Sequence, residues 1–167
     1  ANADTRGDQP LVGKNLESLA AAWPTVRSRH PDTLLVLAGP EHPRRTALFA
    51  GMPGTHLLGR VPDALMPALV AGARTVVVPS HYEGFGLPVL EAMAAGTLVV
   101  SADTSALHEV TSDAGILVSP DPTGLAEGLV FALDDAWTDD ALRARARVHA
   151  TTHSWERTAE LHVHLWR

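Results

Sequence analysis

The sequence predicts an α/β fold with a doubly wound parallel sheet. Short apolar runs recur along the chain, and polar residues do not break them, as is typical of strands buried on both faces of a sheet. Segments of helical pattern separate these runs. Gly or Pro follows several runs, where a strand leaves the sheet. The predicted strands are Thr33–Ala38, His56–Leu58, Thr75–Val78, Leu98–Ser101 and Gly115–Val118.

Helices are predicted between these strands. The first starts near Lys14, with a kink or break expected at Pro24 because proline lacks the N–H of a helix interior. Asp121 and Ser154 are predicted N-caps, and Gly96 is predicted to end the helix that contains Pro88. The other predicted helical segments are Pro43–Ala50, the residues after Pro62, Ala106–Val110, Pro122–Leu133, Asp139–Ala150 and Ser154–Trp166.

Composition narrows the class of protein. The chain has 167 residues, 46% of them hydrophobic and 19% charged, which suits one globular domain. A net charge of -6 argues against a protein that coats nucleic acid. Without cysteine, disulfides and thiolate metal sites are excluded. No apolar run approaches the ~20 residues of a membrane helix, and the N-terminus lacks the apolar core of a signal peptide. We therefore expect a cytoplasmic protein without a transmembrane segment.

The ligand site is expected at one edge of the sheet. Right-handed crossovers bring the C-terminal ends of all parallel strands to the same edge, and ligands of such folds bind there. Four segments therefore converge, namely Gly39-Pro40, Gly59-Arg60, Ser80–Leu87 and Ser101–Thr104.

The stretch His81–Gly96 carries the strongest chemical pattern. It follows an apolar strand, turns on two glycines and enters a helix with Pro88 in its first turn. Free amides at a helix N-terminus bind anions. Glu83 and Glu91 flank these amides, and carboxylates accept hydrogen bonds from hydroxyls. Amides for phosphate and carboxylates for hydroxyls are what a sugar nucleotide requires.

Ordinary structural roles compete with this interpretation. Glu83 is equally explained as a solvated or helix-capping residue, and the glycines as a plain tight turn. Glu91 is equally explained as an exposed helix residue. Against that, its neighbours in the helix are apolar nearly all round, and a carboxylate in such surroundings needs a partner.

The stretch EGFGLPVLEAMAAG resembles the Glu-x7-Glu motif of family 4 retaining glycosyltransferases, which have the GT-B fold. The segments HLLGRVPDALMPALVAGARTVVVPS, VVSADTSALHEVTSDAGILVSPDP and SWERTAEL fit the same family, so the resemblance runs from about Lys14 to the C-terminus. It implies the donor-binding C-terminal half of a GT-B enzyme of hexosyltransferase type. Such an enzyme transfers a sugar from a nucleotide diphosphate with retention of anomeric configuration.

The resemblance assigns roles around the glycine turn. It implies that Glu83 positions the hydroxyls of the donor sugar and that Glu91 binds both ribose hydroxyls. The amides of Phe85, Gly86 and Leu87 would donate to the pyrophosphate and the sugar. Gly84 and Gly86 would supply backbone angles and close approach that other residues block.

The basic residues of the family's donor site are matched only in part by this sequence. Lys14 matches the lysine that neutralises the donor diphosphate. The family spacing is Arg-x4-Lys, whereas the nearest arginine, Arg6, lies eight residues back, so either an insertion displaces this arginine or its role is moved or lost. Arg60 and Val61 follow Gly59 in the segment that lines the base pocket in the family, although a surface arginine is a rival interpretation for Arg60. Gly39 lies at the same edge and is a further candidate for donor binding.

The expected domain organisation follows from the resemblance. Residues 1–12 are an N-terminal loop, residues 13–153 the nucleotide-sugar-binding domain, and residues 154–167 a helix that packs on an N-terminal domain in relatives. That N-terminal domain, which supplies the acceptor site, is absent from the chain, so the chain alone is expected to be inactive. The nine histidines show no convincing zinc pattern, and family relatives are generally metal-independent, so no metal or other cofactor is expected.

Three alternatives stay open. The chain could be a nucleotide-sugar-binding or regulatory module without catalysis. It could be half of a GT-B phosphorylase or epimerase. It could also be a structural domain that binds nothing. The sequence leaves the nucleotide, the sugar and the acceptor undetermined.

Overall fold

A computed structural model describes residues 11–134 and 139–166. Its strands are β1 (Leu35–Ala38), β2 (Thr55–Gly59), β3 (Thr75–Val78), β4 (Leu98–Ala102) and β5 (Ile116–Val118). Its α-helices are α1 (Leu16–Arg29), α2 (Pro43–Phe49), α3 (Met66–Ala71), α4 (Leu87–Ala94), α5 (Ser105–Thr111), α6 (Pro122–Asp134), α7 (Asp140–Thr151) and α8 (Trp155–Leu165). Short 3-10 helices cover Leu11–Lys14, Asp63–Leu65 and Ser112–Ala114.

Every strand pair is parallel, and the strands lie where the apolar runs predict them. The α/β, Rossmann-like fold class is therefore confirmed. One difference concerns the hydrogen bonding of the strands. They form two ladders, β1–β2 and β3–β4–β5, because β1 does not pair with β3.

Helices cover both faces of the three-stranded ladder. Helices α1 and α6 pack together, and α6 also contacts β3, β4 and β5. Helices α4, α5 and α7 lie on the opposite face. Neighbouring residues of β4 point to different sides, since Val100 packs with the α1–α6 cluster and Val99 packs with the α4–α5 cluster. Every residue of β4 is buried, as expected for a central strand covered on both faces.

Of the kink or break predicted at Pro24, the break is wrong. Helix α1 runs from Leu16 through Pro24 to Arg29. Tertiary packing explains this, because Trp23 and Val26 on either side of the proline are buried, whereas Pro24 itself faces solvent. The indole Nε1 of Trp23 also donates to the Pro53 carbonyl at 2.9 Å. These contacts hold the helix despite the missing backbone donor.

The predicted caps are confirmed. Asp121 Oδ1 accepts from the amides of Thr123 and Gly124, both at 2.9 Å, and Ser154 Oγ accepts from Arg157 N at 3.1 Å. A hydrogen bond from the Ser119 hydroxyl, together with the Gly124 amide, lowers the pKa of the Asp121 carboxyl. Gly96 follows α4 with φ 76°, the left-handed conformation of a helix-ending glycine.

Within the described residues, no helix is long and apolar enough to cross a membrane. The proposed division at residues 12 and 153 stays a prediction, as does the docking of the last helix on another domain.

Candidate functional site

The loop between β3 and α4 turns at a glycine with a left-handed backbone, directly before the helix. Gly86 has φ 99° and precedes the first residue of α4, Leu87, with Pro88 in the first turn as predicted. A Cβ on Gly86 would lie 3.1 Å from Leu107 Cδ2, so both its angle and its close packing favour glycine. Gly84 differs from the prediction. Its φ is outside the left-handed region, and open space surrounds the position of its Cβ.

The amides of Phe85, Gly86 and Leu87 lie at the N-terminus of α4. No described residue accepts a hydrogen bond from them. The helix dipole adds about half a positive charge at this position. Phe85 is 47% exposed, and its ring lies edge-on to the His153 imidazole at a centroid distance of 6.4 Å. These three amides, of which Phe85 and Leu87 belong to exposed residues and Gly86 to a buried one, therefore form a small donor cluster of the kind that can bind an anion.

Glu83 and Lys14 contact each other beside this cluster. Lys14 Nζ lies 2.6 Å from Glu83 Oε1, and Ser80 Oγ donates to the same oxygen at 2.9 Å. The Glu83 side chain is 14% exposed, whereas that of Lys14 is 51% exposed. The structure thus brings together two predicted site residues that are 69 positions apart in sequence.

Serine and threonine side chains hold the loop in place. Ser80 is 2% exposed, and its carbonyl accepts a hydrogen bond from Thr104 Oγ1 at 2.8 Å. Ser105 Oγ accepts from the Glu83 amide at 3.3 Å. Ser105 has φ 39°, an uncommon conformation for a residue with a side chain. Sequence reasoning placed Ser80 and Thr104 at this edge but assigned them no role, and it did not identify Ser105.

Asn15 fixes the position of the neighbouring Lys14. Its side-chain Nδ2 donates to the carbonyls of Pro79 at 2.9 Å and Pro120 at 2.6 Å, which follow β3 and β5 respectively. Asn15 is 3% exposed and has φ 52°, a left-handed conformation that asparagine tolerates better than most residues. Sequence reasoning missed this role, because both acceptors are far from Asn15 in sequence and no local pattern marks them.

Glu91 is exposed on α4, so the burial argument made for it from the sequence is wrong. Val89, Leu90, Ala92 and Met93 face the core, whereas Glu91 belongs to the solvent-facing part of the helix. Its carboxylate therefore needs no partner to offset desolvation. Ribose binding by Glu91 stays a prediction that rests on the motif alone.

The remaining predicted residues lie at the ends of β1 and β2. Gly39 N donates to the Gly59 carbonyl at 2.8 Å, so these two ends are adjacent. Arg60 is exposed, and Val61 is half-buried. The guanidinium of Arg45 is buried below Gly39 and donates to the carbonyls of Gly39 and Pro40 at 2.9 and 2.5 Å.

Two predictions have no direct structural counterpart. Arg6 lies outside the described residues. In the part of the chain that the structure describes, no group of three or more His, Asp or Glu side chains is arranged to hold a metal ion. The site that the described residues form is therefore a set of amides, one lysine and one carboxylate at the carboxyl edge of a parallel sheet.

Comparison with known proteins identifies the family and the fold of the chain. The family model described as "Glycosyl transferases group 1" matches residues 8–135. The chain belongs to this family, and its fold is one Rossmann-like half of a GT-B glycosyltransferase.

Individual relatives show how much of such a protein the chain represents. It is 46% identical to the O-antigen chain mannosyltransferase B of Escherichia coli over 101 residues, 59% of this chain and 26% of the relative. It is 36% identical to the D-inositol 3-phosphate glycosyltransferase of Jonesia denitrificans over 168 aligned residues, 90% of this chain and 39% of the relative. The chain thus spans about a quarter to two fifths of the length of these curated relatives.

A solved structure is similar over nearly the whole chain. Sucrose-phosphate synthase from Thermosynechococcus elongatus superposes with a TM-score of 0.75 at 27% sequence identity. The match covers 93% of this chain and 42% of the synthase chain.

Proposed function

We propose that the chain is the donor-binding C-terminal domain of a family 4 retaining glycosyltransferase of hexosyltransferase type. The domain binds a nucleotide diphosphate sugar, and the complete enzyme transfers the sugar to an acceptor held by an N-terminal domain. One observation carries this proposal. A carboxylate and a lysine stand beside amides of a helix N-terminus for which no described residue is the acceptor, all at the carboxyl edge of a Rossmann-like sheet.

Each part of the site suits one part of the donor. The amides of Phe85, Gly86 and Leu87 suit the diphosphate because they concentrate N–H donors and the positive end of a helix dipole. Lys14 adds a full positive charge. As the sugar leaves, charge grows on the diphosphate oxygens, and donors already in place stabilise it without reorganisation.

Glu83 suits the hydroxyls of the sugar ring. Its carboxylate is fixed by Ser80 and Lys14, so it is positioned before a ligand arrives. A donor diphosphate competes with Glu83 for Lys14. Once Lys14 turns to the phosphates, the carboxylate oxygen that it leaves accepts a sugar hydroxyl and orients the anomeric carbon.

The finer features of this proposal rest on the resemblance of the motif. They are the family 4 assignment, retention of configuration, ribose binding by Glu91, inactivity without the N-terminal domain, and independence of metal and other cofactors. Cytoplasmic location is proposed from composition instead, since a chain without cysteine suits a reducing compartment. Arg60, Val61 and Gly39 complete the proposed donor site on the side of β1 and β2, where the base would lie.

Calorimetric titration of the chain with UDP, GDP and their glucose and mannose conjugates tests donor binding. We expect saturable binding of one diphosphate and of its sugar conjugate. Glu83→Gln should weaken the sugar conjugate about tenfold or more, because hydroxyls bond more strongly to a carboxylate than to an amide. The same variant should not weaken the free diphosphate, since Lys14 loses its competitor.

Glu127→Gln is the matched control, because Glu127 is an exposed glutamate on α6 and lines none of the site. It should leave both affinities unchanged. Absence of heat with every ligand would contradict the proposal. Equal weakening of the diphosphate and its conjugate by Glu83→Gln would contradict the role given to Glu83.

A further inference from the structure

Arg45 is a buried cation for which the described residues provide no acidic partner. It lies in the first turn of α2 and is 8% exposed. Its guanidinium Nη2 donates to the carbonyls of Gly39 at 2.9 Å and Pro40 at 2.5 Å, and Nη1 lies 3.5 Å from the Ala38 carbonyl. Burial of a charge without an opposite charge is costly, so the stability of the fold alone does not account for this residue.

The carbonyls that Arg45 binds lie where the ladder of β1 and β2 becomes irregular. The register shifts by one residue after Leu37, and Ala38 pairs with Gly59. Leu58 is therefore left out of the ladder. Irregularities of this kind bend a strand and turn backbone groups away from regular pairing. The guanidinium binds the carbonyls beyond this point and thereby fixes the direction in which the β1–α2 loop leaves the sheet.

Gly39 and Arg45 fit each other closely. Gly39 has φ 131°, and a Cβ at this position would lie 2.9 Å from Arg45 Nη1. A side chain on residue 39 would therefore displace the guanidinium. Gly39 N also donates to the Gly59 carbonyl at 2.8 Å. Through Gly39, the guanidinium thus holds the ends of both strands.

The ends of β1 and β2 adjoin the space beside the Lys14–Glu83 pair. One cavity is lined both by this pair and by Gly39 and Arg45. In the proposed function the diphosphate lies at the amide cluster of α4, so the nucleoside extends toward the ends of β1 and β2. Because Arg45 is buried, it acts on this part of the site from behind the backbone.

We propose, resting on the proposed function, that Arg45 is a positioning residue for the nucleobase of a nucleoside diphosphate. The base lies against a wall formed by Gly39-Pro40 and Gly59-Arg60, and the guanidinium of Arg45 holds this wall in place. Its planar fork reaches two carbonyls at once, which a lysine amine does not reproduce. Arg45 therefore affects the affinity for the base and the discrimination between bases, but not the affinity for the phosphates.

Calorimetric titration with UDP, GDP and inorganic pyrophosphate, which has no base, tests the proposal. Arg45→Met lacks the donors and should weaken the tighter nucleoside diphosphate by about tenfold or more. The ratio between the UDP and GDP affinities should move toward one, whereas the pyrophosphate affinity should change by less than about twofold. Arg45→Lys keeps the charge without the fork and should remain at least about fivefold weaker than the wild type.

Arg44→Met is the matched control. Arg44 is the preceding residue of α2, is about half exposed and contacts Glu17 instead of the wall. Its replacement should leave all three affinities unchanged. Circular dichroism shows whether each variant is folded. If Arg45→Met does not fold, Gly39→Ala should give the same selective loss, because its Cβ displaces the guanidinium.

Three results would overturn the role of Arg45 while the wild type binds a nucleotide. Equal weakening of pyrophosphate would assign the effect to charge or to a general loss of structure. An unchanged ratio between the UDP and GDP affinities would show that other contacts hold the wall. Wild-type affinity in Arg45→Lys would show that the fork is not needed. A wild-type chain that binds none of the three ligands would instead contradict the proposed function, and the role of Arg45 would fall with it.

Discussion

The β3–β4–β5 block and the β1–β2 block are built from similar apolar runs but differ in burial, since β4 is fully buried with half-buried β3 and β5 beside it, whereas β1 and β2 each include exposed residues. Every residue of β4 is buried, and Val89 and Met93 of α4 are fully buried against the same block. β1 alternates between buried and exposed residues, and β2 between half-buried and exposed residues. Because the β3–α4 loop belongs to the tightly packed block, Glu83 and the amide cluster are held in place before any ligand binds.

Truncation of core side chains should show the largest difference between the blocks. Leu107→Ala removes a fully buried side chain that packs under Gly86 and should lower the free energy of unfolding by about 3 kcal/mol. Leu58→Ala in β2 removes a side chain that is 47% exposed and should change it by less than about 0.5 kcal/mol. Urea unfolding measures both. Equal losses would remove the distinction between the blocks.

Asn15 should be the next most sensitive position because it ties α1 to the packed block. Asn15→Ala removes two hydrogen bonds and leaves the Pro79 and Pro120 carbonyls without that donor, so we expect a loss of about 2 kcal/mol. Ser18→Ala, in the first turn of α1, serves as the control and should be near neutral. If Asn15→Ala is also neutral in urea unfolding, Lys14 is positioned by other contacts.

Two glycines of the loop should respond differently to alanine. Gly86→Ala places a Cβ at φ 99° and 3.1 Å from Leu107 Cδ2, and should cost about 1–2 kcal/mol of unfolding free energy. Gly84→Ala meets no atom within 4 Å and has no left-handed backbone, so it should be tolerated. Thermal unfolding of the pair measures this. Equal sensitivity would mean that the loop is not fixed as described.

The smallest effect should be the pH dependence of the α6 cap. The pKa of Asp121 is lowered in the folded protein by the Ser119 hydroxyl and the Gly124 amide. The stabilisation is therefore complete above the ordinary carboxyl pKa of 3.8 and is lost as the pH falls through the lower folded value. The variant Asp121→Asn keeps a side-chain oxygen that can cap α6, but its amide group does not titrate. The stability of the wild type relative to this variant should be constant above about pH 5 and should fall as the pH drops from there through the lowered folded pKa, and a difference that stays constant throughout would contradict the cause given.

The sequence predicted the strands well because each is a short apolar run ended by a turn residue. It also predicted the caps at Asp121 and Ser154, whose hydrogen bonds are local. It failed at Pro24, where packing of Trp23 and Val26 outweighs the cost of a proline in a helix. The burial argument for Glu91 failed because apolar neighbours in sequence do not show which side of a helix faces solvent.

Contacts between distant segments account for most of what sequence reasoning missed. The pairing of Lys14 with Glu83 spans 69 positions, and the bonds from Asn15 to the ends of β3 and β5 depend on the fold. Ser105 is recognisable only from its backbone angle and its bond to the Glu83 amide. The separation of β1 from β3 is likewise a property of sheet assembly that no single run encodes.

A crystal structure of the chain with the diphosphate that binds most tightly tests the central claim most directly. Phosphate oxygens should lie within ~2.7–3.2 Å of amides between Phe85 and Leu87. Lys14 Nζ should have moved from Glu83 to the phosphates, with Ser80 still bonded to Glu83. A diphosphate bound elsewhere, with the Lys14–Glu83 pair intact and the amides of α4 facing only solvent, would contradict the account.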